Sequence, residues 1–221
     1  MTDTHQQVPN ASQQEALIRV LSAPRLGTYL TAAGYDWNRA WALYMWNAKI
    51  GEAFYIPIQT VEVCLRNRLC AVLSEKYGSE WGTEDNFNEL LDDHGKADLA
   101  TVKQRIRNRN LPLVNGQIVA GLSFGFWISL LQRRYNPQLW SSSLKIAFPH
   151  LPEGRGRKTV AARFAKIAEL RNRISHHEPI IRRNFSEEFR EIMEAIDWMC
   201  PHTGGLIRPH CRIGTVMREK P

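Results

Sequence analysis

The stretch TVAARFAKIAELRNRISHHEPI, residues 159 to 180, constrains the fold more than any other part of this chain. On a 3.6-residue period Val160, Phe164, Ile167, Arg171, Ile174 and Glu178 share one face, which predicts an amphipathic helix. The same period places a cation, Arg171, among the core positions. A guanidinium out of water needs paired anions or a ligand that supplies them, since its desolvation is otherwise uncompensated. His176 stands one turn after Asn172 on the flank of this arc, and His177 falls on the other flank, just before Pro179 disfavours further helix. Two readings are open. Arg171 is a structural arginine paired with a carboxylate while the histidines merely close the helix, or guanidinium, amide and imidazole together make a site.

Helical periodicity recurs along the chain. Asp36 is expected to cap an aromatic run holding Trp37, Trp41, Leu43, Tyr44 and Trp46, which Pro57 must kink or restart. Beyond it, Ile58, Val61, Leu65, Leu69 and Val72 trace a core helix. The run from 118 to 134 is apolar nearly all round and predicts one buried helix, with Phe124, Phe126 and Trp127 packing the core rather than stacking bases. Ser186 is expected to cap a last amphipathic helix bearing Phe189, Ile192, Met193, Ile196 and Met199. Shorter helices are expected after a Ser12/Glu15 capping box, from Pro24 to Gly34, from Thr83 to about Asp93, and from Lys96 to Arg107. The expected fold is an all-α bundle centred on helices near 37–76, 118–134, 159–177 and 187–199. It occupies one domain over 12–200, with additional N-terminal and connecting helices, a disordered segment over 1–11 and a basic tail over 201–221 that wraps the surface.

Twenty-nine Lys and Arg against 22 Asp and Glu give a formal charge of +7, which favours a polyanionic partner such as RNA. The excess gathers in three groups: Arg105, Arg107 and Arg109; Arg133 and Arg134; and Arg155, Arg157, Lys158 and Arg163. Each is either a solvated face or part of a nucleic-acid surface. No run approaches a membrane span and the N-terminus has no signal pattern, so a cytoplasmic protein without membrane association is expected. Four cysteines make no disulfide framework at this length. Cys200, His202, His210 and Cys211 are zinc-compatible types at a spacing unlike any familiar finger, and no cofactor or metal is expected. P-loop, dinucleotide, GxSxG and HExxH patterns are absent.

Arg171, Asn172 and His176 form an R-x4-H pattern with a polar residue after the arginine, and in this they resemble the HEPN superfamily of helical ribonucleases. LRNRISHHEPI is similar to the C-terminal half of the Abi-like proteins, bacterial members of that superfamily associated with abortive infection by phage. Ala42 to Leu69 and Gly121 to Leu131 resemble the same family, so the likeness covers most of residues 36 to 181.

The resemblance implies a HEPN-like bundle, a homodimer with a composite active site, and metal-independent endoribonuclease activity carried by Arg171, Asn172 and His176. It also implies a role in anti-phage defence or as a toxin with a cognate antitoxin. His177 is one residue out of the family register. Glu62, with Arg66 one turn on and Asn67 beside it, stands in a supporting role: Glu62 or the nearer Glu169 is the candidate anion for Arg171. The alternative is a non-catalytic RNA-binding or protein-interaction module of a toxin–antitoxin or defence system.

Overall fold

The computed structural model describes residues 9–221; the segment expected to be disordered, 1–11, lies outside them up to residue 8, and at its end Asn10 and Ala11 instead cap and open a helix. Every regular element among the described residues is helical, so the all-α expectation holds. In chain order these are α1 (Ala11–Leu21), α2 (Ala23–Ala32), α3 (Trp37–Ala53), α4 (Tyr55–Tyr77), α5 (Asp85–Leu90), α6 (Asp93–Asn108) and α7 (Asn115–Gly121). They continue with α8 (Phe124–Ser129), α9 (Ser141–Ala147), α10 (Arg157–Ser175), α11 (Phe185–Met199), α12 (Pro201–Ile207) and α13 (Ile213–Arg218). None is long and apolar enough to cross a membrane.

Several boundaries differ from the sequence reading, each for a local reason. Asn10, not Ser12, caps α1: its side chain accepts from Gln13 N–H while the Gln13 side chain accepts from Asn10 N–H, a reciprocal pair. Asp36 caps α3 as expected, accepting from Arg39 N–H. Thr83 spends its hydroxyl on Glu80 C=O, and α5 starts after Glu84 instead. The apolar run expected as one helix is broken into α7 and α8, because the Ser123 hydroxyl accepts from Phe126 N–H and opens a new helix there. At α11 the cap is Asn184, which accepts from Glu187 N–H, rather than Ser186. The segment expected as a wrapping tail is helical over α12 and α13, with Ile213 and Val216 buried.

The chain groups into two compact units. Of the described residues, the first comprises those up to Ile56, Arg171–Phe189 and His210–Pro221; the second comprises Pro57–Leu170 and Arg190–Pro209. The first unit is built on α3. Leu43, Trp46 and Ile50 are its buried stripe; Trp46 meets Phe185 edge-on at 5.8 Å, and its indole N–H donates to Val216 C=O at 2.7 Å. That hydrogen bond satisfies the one polar atom of a large buried ring and fastens α13 to α3.

The core of the second unit follows the stripe read from sequence: Ile58, Val61, Leu65, Leu69 and Val72 of α4 are all buried. Trp81 packs edge-on against Phe87 at 4.9 Å and Trp127 at 6.1 Å. Phe124, Phe126 and Trp127 are buried, so they serve packing and are not presented to a ligand.

Candidate functional site

The last turn of α10 holds the motif residues, and its geometry follows from how that helix ends. Val160, Phe164, Ile167 and Leu170 are the buried positions of α10. Arg171 is therefore not a core residue, contrary to the periodic reading: from Ile167 the stripe steps three residues to Leu170, and Arg171 lies half-buried at its edge. A guanidinium there keeps contact with water, which removes most of the desolvation cost that a core position would impose. Its Nη1 donates to the Asn172 side-chain oxygen at 3.4 Å.

α10 stops at Ser175, not at 177. His176 is the capping residue; its N–H donates to Asn172 C=O at 2.8 Å, which sets it one turn above Asn172. His177 takes a left-handed conformation, φ 56°. His177 N–H then reaches Ile174 C=O at 3.0 Å and Glu178 N–H reaches Arg173 C=O at 2.8 Å, the two reversed bonds that satisfy the end carbonyls of a helix. An ion pair between Arg173 and Glu178 at 3.2 Å spans the same turn. Asn172, His176 and His177 are all exposed.

His177 is thus a backbone device as much as a side chain. Left-handed geometry costs an ordinary residue roughly 1–2 kcal/mol, and a β-branched one more, whereas glycine adopts it freely. His177→Gly is accordingly expected to melt at the parent temperature or slightly above it, and His177→Val to lose about 1–2 kcal/mol in urea unfolding. Equal stability of the two variants would contradict the capping role.

Two side chains that the sequence reading missed hold the segment after the motif. Arg25 of α2 donates to His177 C=O. Asn47 of α3 accepts from Ile180 N–H at 2.8 Å and donates to Glu178 C=O at 3.5 Å. The signal for Asn47 was present, since it is an amide four residues after Leu43 on the α3 stripe, but its partners lie more than 130 residues away. Gly51 of the same helix faces the last turn of α10, where a Cβ would meet Ile174 at an ordinary van der Waals distance of 3.5 Å.

Beside the capping turn lies a cleft of about 470 Å³ lined by Arg25, Tyr29, Tyr44, Ser175 and His177 among others. Burial, with a further contribution from neighbouring Tyr44, pushes the Tyr29 hydroxyl up to about 12, against the opposing charge of Arg25. Tyr29 therefore remains a hydrogen-bond donor and is unsuited to act as a base near neutral pH.

The other candidates are distributed as follows. Glu62, Arg66, Asn67 and Glu169 belong to the second unit, while Arg171, Asn172, His176 and His177 belong to the first. Arg66 donates to the Asn67 side chain at 3.3 Å. Cys200 and His202 fall in the second unit, His210 and Cys211 in the first, and among the described residues no cluster of three or more ligating side chains is found.

Several cations expected to flank the motif are committed to structure. Arg163 is only 11% exposed; it pairs with Glu194 at 3.0 Å and Glu191 at 3.8 Å and lies over the Trp198 ring at 4.8 Å. Arg157 donates to Leu131 C=O at 2.6 Å, Arg155 lies over Trp198, and Arg134 pairs with Asp92. Compared with family models, curated proteins and solved structures, the chain matches none.

Proposed function

We propose that the chain is a metal-independent endoribonuclease of the HEPN type, acting in abortive infection or as a toxin, with Arg171, Asn172 and His176 as its catalytic set. The observation that carries the reading is the helix end that the three groups share. A guanidinium, an amide and an imidazole fall within residues 171–176, with half-buried Arg171 hydrogen-bonded to exposed Asn172 and exposed His176 one turn above Asn172.

Cleavage of RNA without a metal needs three things. The ribose 2′-hydroxyl loses a proton as its oxygen bonds to phosphorus, the phosphorus centre carries extra negative charge, and the bond to the 5′-oxygen breaks as that oxygen gains a proton. The Arg171 fork holds the non-bridging oxygens and meets that charge. An imidazole has one ring nitrogen that can accept a proton and one that can donate it, so it is suited to either transfer. The reading assigns base and acid to two copies of His176 across a homodimer, with Asn172 orienting the imidazole or donating to phosphate.

Activity on a defined oligoribonucleotide is expected to persist in EDTA, and a single 2′-deoxy substitution at the scissile position is expected to abolish it. Arg171→Lys keeps the charge but not the two-pronged donor, and is expected to be impaired as well. An absolute requirement for a divalent ion, or cleavage at the deoxy position, would reject the mechanism. RNA binding without cleavage would favour the non-catalytic module.

A further inference from the structure

A second cleft, of about 650 Å³, is lined in part by the segment that follows the motif. Its lining includes Gly27, Thr28 and Thr31 of α2 and three arginines, Arg173, Arg182 and Arg183. Thr28 and Thr31 are one turn apart and both line the cleft, and a Cβ on Gly27 would meet nothing within 4 Å, so no side chain fills the space over that position. Among the described residues that line the cleft there is no carboxylate. Arg173 and Arg183 are ion-paired with Glu178 and Glu188, which fixes their position; Arg182 is exposed, with no hydrogen bond or ion pair among the described residues.

We propose that this cleft binds the phosphate backbone of single-stranded RNA next to the motif turn. Its chemistry suits a phosphodiester: three guanidinium groups, of which Arg173 and Arg183 are held in place by Glu178 and Glu188 while Arg182 is left to meet an anion, beside two threonines. Its place selects RNA among polyanions. Arg173 lies in the last turn of α10, three residues before the capping His176 and about 4.5 Å from it along the axis, so a strand held at His176 has the cleft within reach of its neighbouring phosphates. The assignment deepens the ribonuclease reading by giving the substrate a second point of hold, and it concerns residues that play no part in the proton transfers.

The test is binding of a 2′-O-methyl oligonucleotide, which the proposed chemistry leaves uncut, measured by fluorescence anisotropy with the full chain over a salt series. Arg182→Ala is expected to weaken binding several-fold at low salt. It should also make the log–log salt slope shallower by about 0.7, the share of one phosphate contact on a single strand. Arg182→Lys should restore the slope, since the counterion term follows charge. Arg107→Ala, which removes an exposed charge on α6, should change the slope less than Arg182→Ala. The proposal is overturned by an absence of binding, by an Arg182→Ala slope equal to the parent's, or by an equal effect of Arg107→Ala. Displacement of the oligonucleotide by polyglutamate as readily as by RNA at equal charge also overturns it, and reassigns the cleft to an acidic peptide. Cleavage is scored separately: a slope change in a protein that cuts no RNA upholds the cleft and rejects the nuclease, and an unchanged slope in a protein that cuts does the reverse.

Discussion

His176→Asn is expected to lower the rate of the proposed RNA cleavage about 100-fold or more while leaving RNA affinity and melting temperature near the parent's, because positioned acid–base groups contribute at least that much. The stability half of this expectation comes from the helix end. The backbone of His176 makes the capping bond to Asn172 C=O and its side chain is exposed, so asparagine inherits the bond and loses no packing. Surface changes of that kind usually stay within about 0.5 kcal/mol. Affinity is preserved because charge on the phosphates is met by arginines, which remain. A purely structural His176 gives the opposite pattern, with cleavage by the variant within a few-fold of the parent.

Arg163→Ala is expected to lose about 3 kcal/mol of stability without a specific loss of RNA affinity in the folded fraction. Removing one partner of a buried pair typically costs about 3–5 kcal/mol where the anion is left buried alone, and the low end applies here because Glu191 keeps Lys166 at 3.0 Å and Glu194 keeps Arg190. The pH dependence carries the same signature. Burial pushes the Glu194 carboxyl up, but hydrogen bonds and charge from Arg163 and Arg190 outweigh it and hold the group below the ordinary carboxylate range. A depressed carboxyl contributes stability above its unfolded pKa, and that contribution disappears as pH falls through the folded value. Arg163→Ala should therefore narrow the gap in unfolding free energy between neutral pH and acid. A variant as stable as the parent, but defective in RNA binding, would return Arg163 to the nucleic-acid surface.

The difference between Arg163 and Arg171 shows where sequence reasoning holds and where it stops. A charge run is local, and Arg155, Arg157, Lys158 and Arg163 look alike along the chain; the partners that decide their use, Glu191, Glu194, Trp198 and Leu131, are 26 residues or more away from the arginines they serve. Arg171 was displaced from the core for a reason of geometry. A 3.6-residue period permits a step of three or four from Ile167, and the step of three finds Leu170, which buries at less cost than a guanidinium. By contrast the α4 stripe was fully legible, because every alternative register would have buried a charge or amide.

Helix starts were the least legible feature. Ser12, Thr83 and Ser186 all have the right chemistry for a cap, yet so do their neighbours, and the choice of Asn10 and Asn184 depends on where the preceding chain delivers the backbone. The one-turn spacing of Asn172 and His176 was legible because it depends only on the period of the helix they close. Arg25 and Asn47, which hold the turn in place, come from helices early in the chain, and the basic cleft combines α2 with the segment after α10; no local pattern announces either.

The ends left on a cut oligoribonucleotide test the central claim most directly. Mass spectrometry of the products formed in EDTA is expected to show a 2′,3′-cyclic phosphate, or its hydrolysis product, on the upstream fragment and a 5′-hydroxyl on the downstream one, with both absent for His176→Asn. Those ends require attack by the neighbouring 2′-oxygen, the step the Arg171 and His176 arrangement is proposed to serve. Upstream fragments ending in an unmodified 3′-hydroxyl with a 5′-phosphate downstream, or the same products from the His176→Asn protein at the parent's rate, would contradict it.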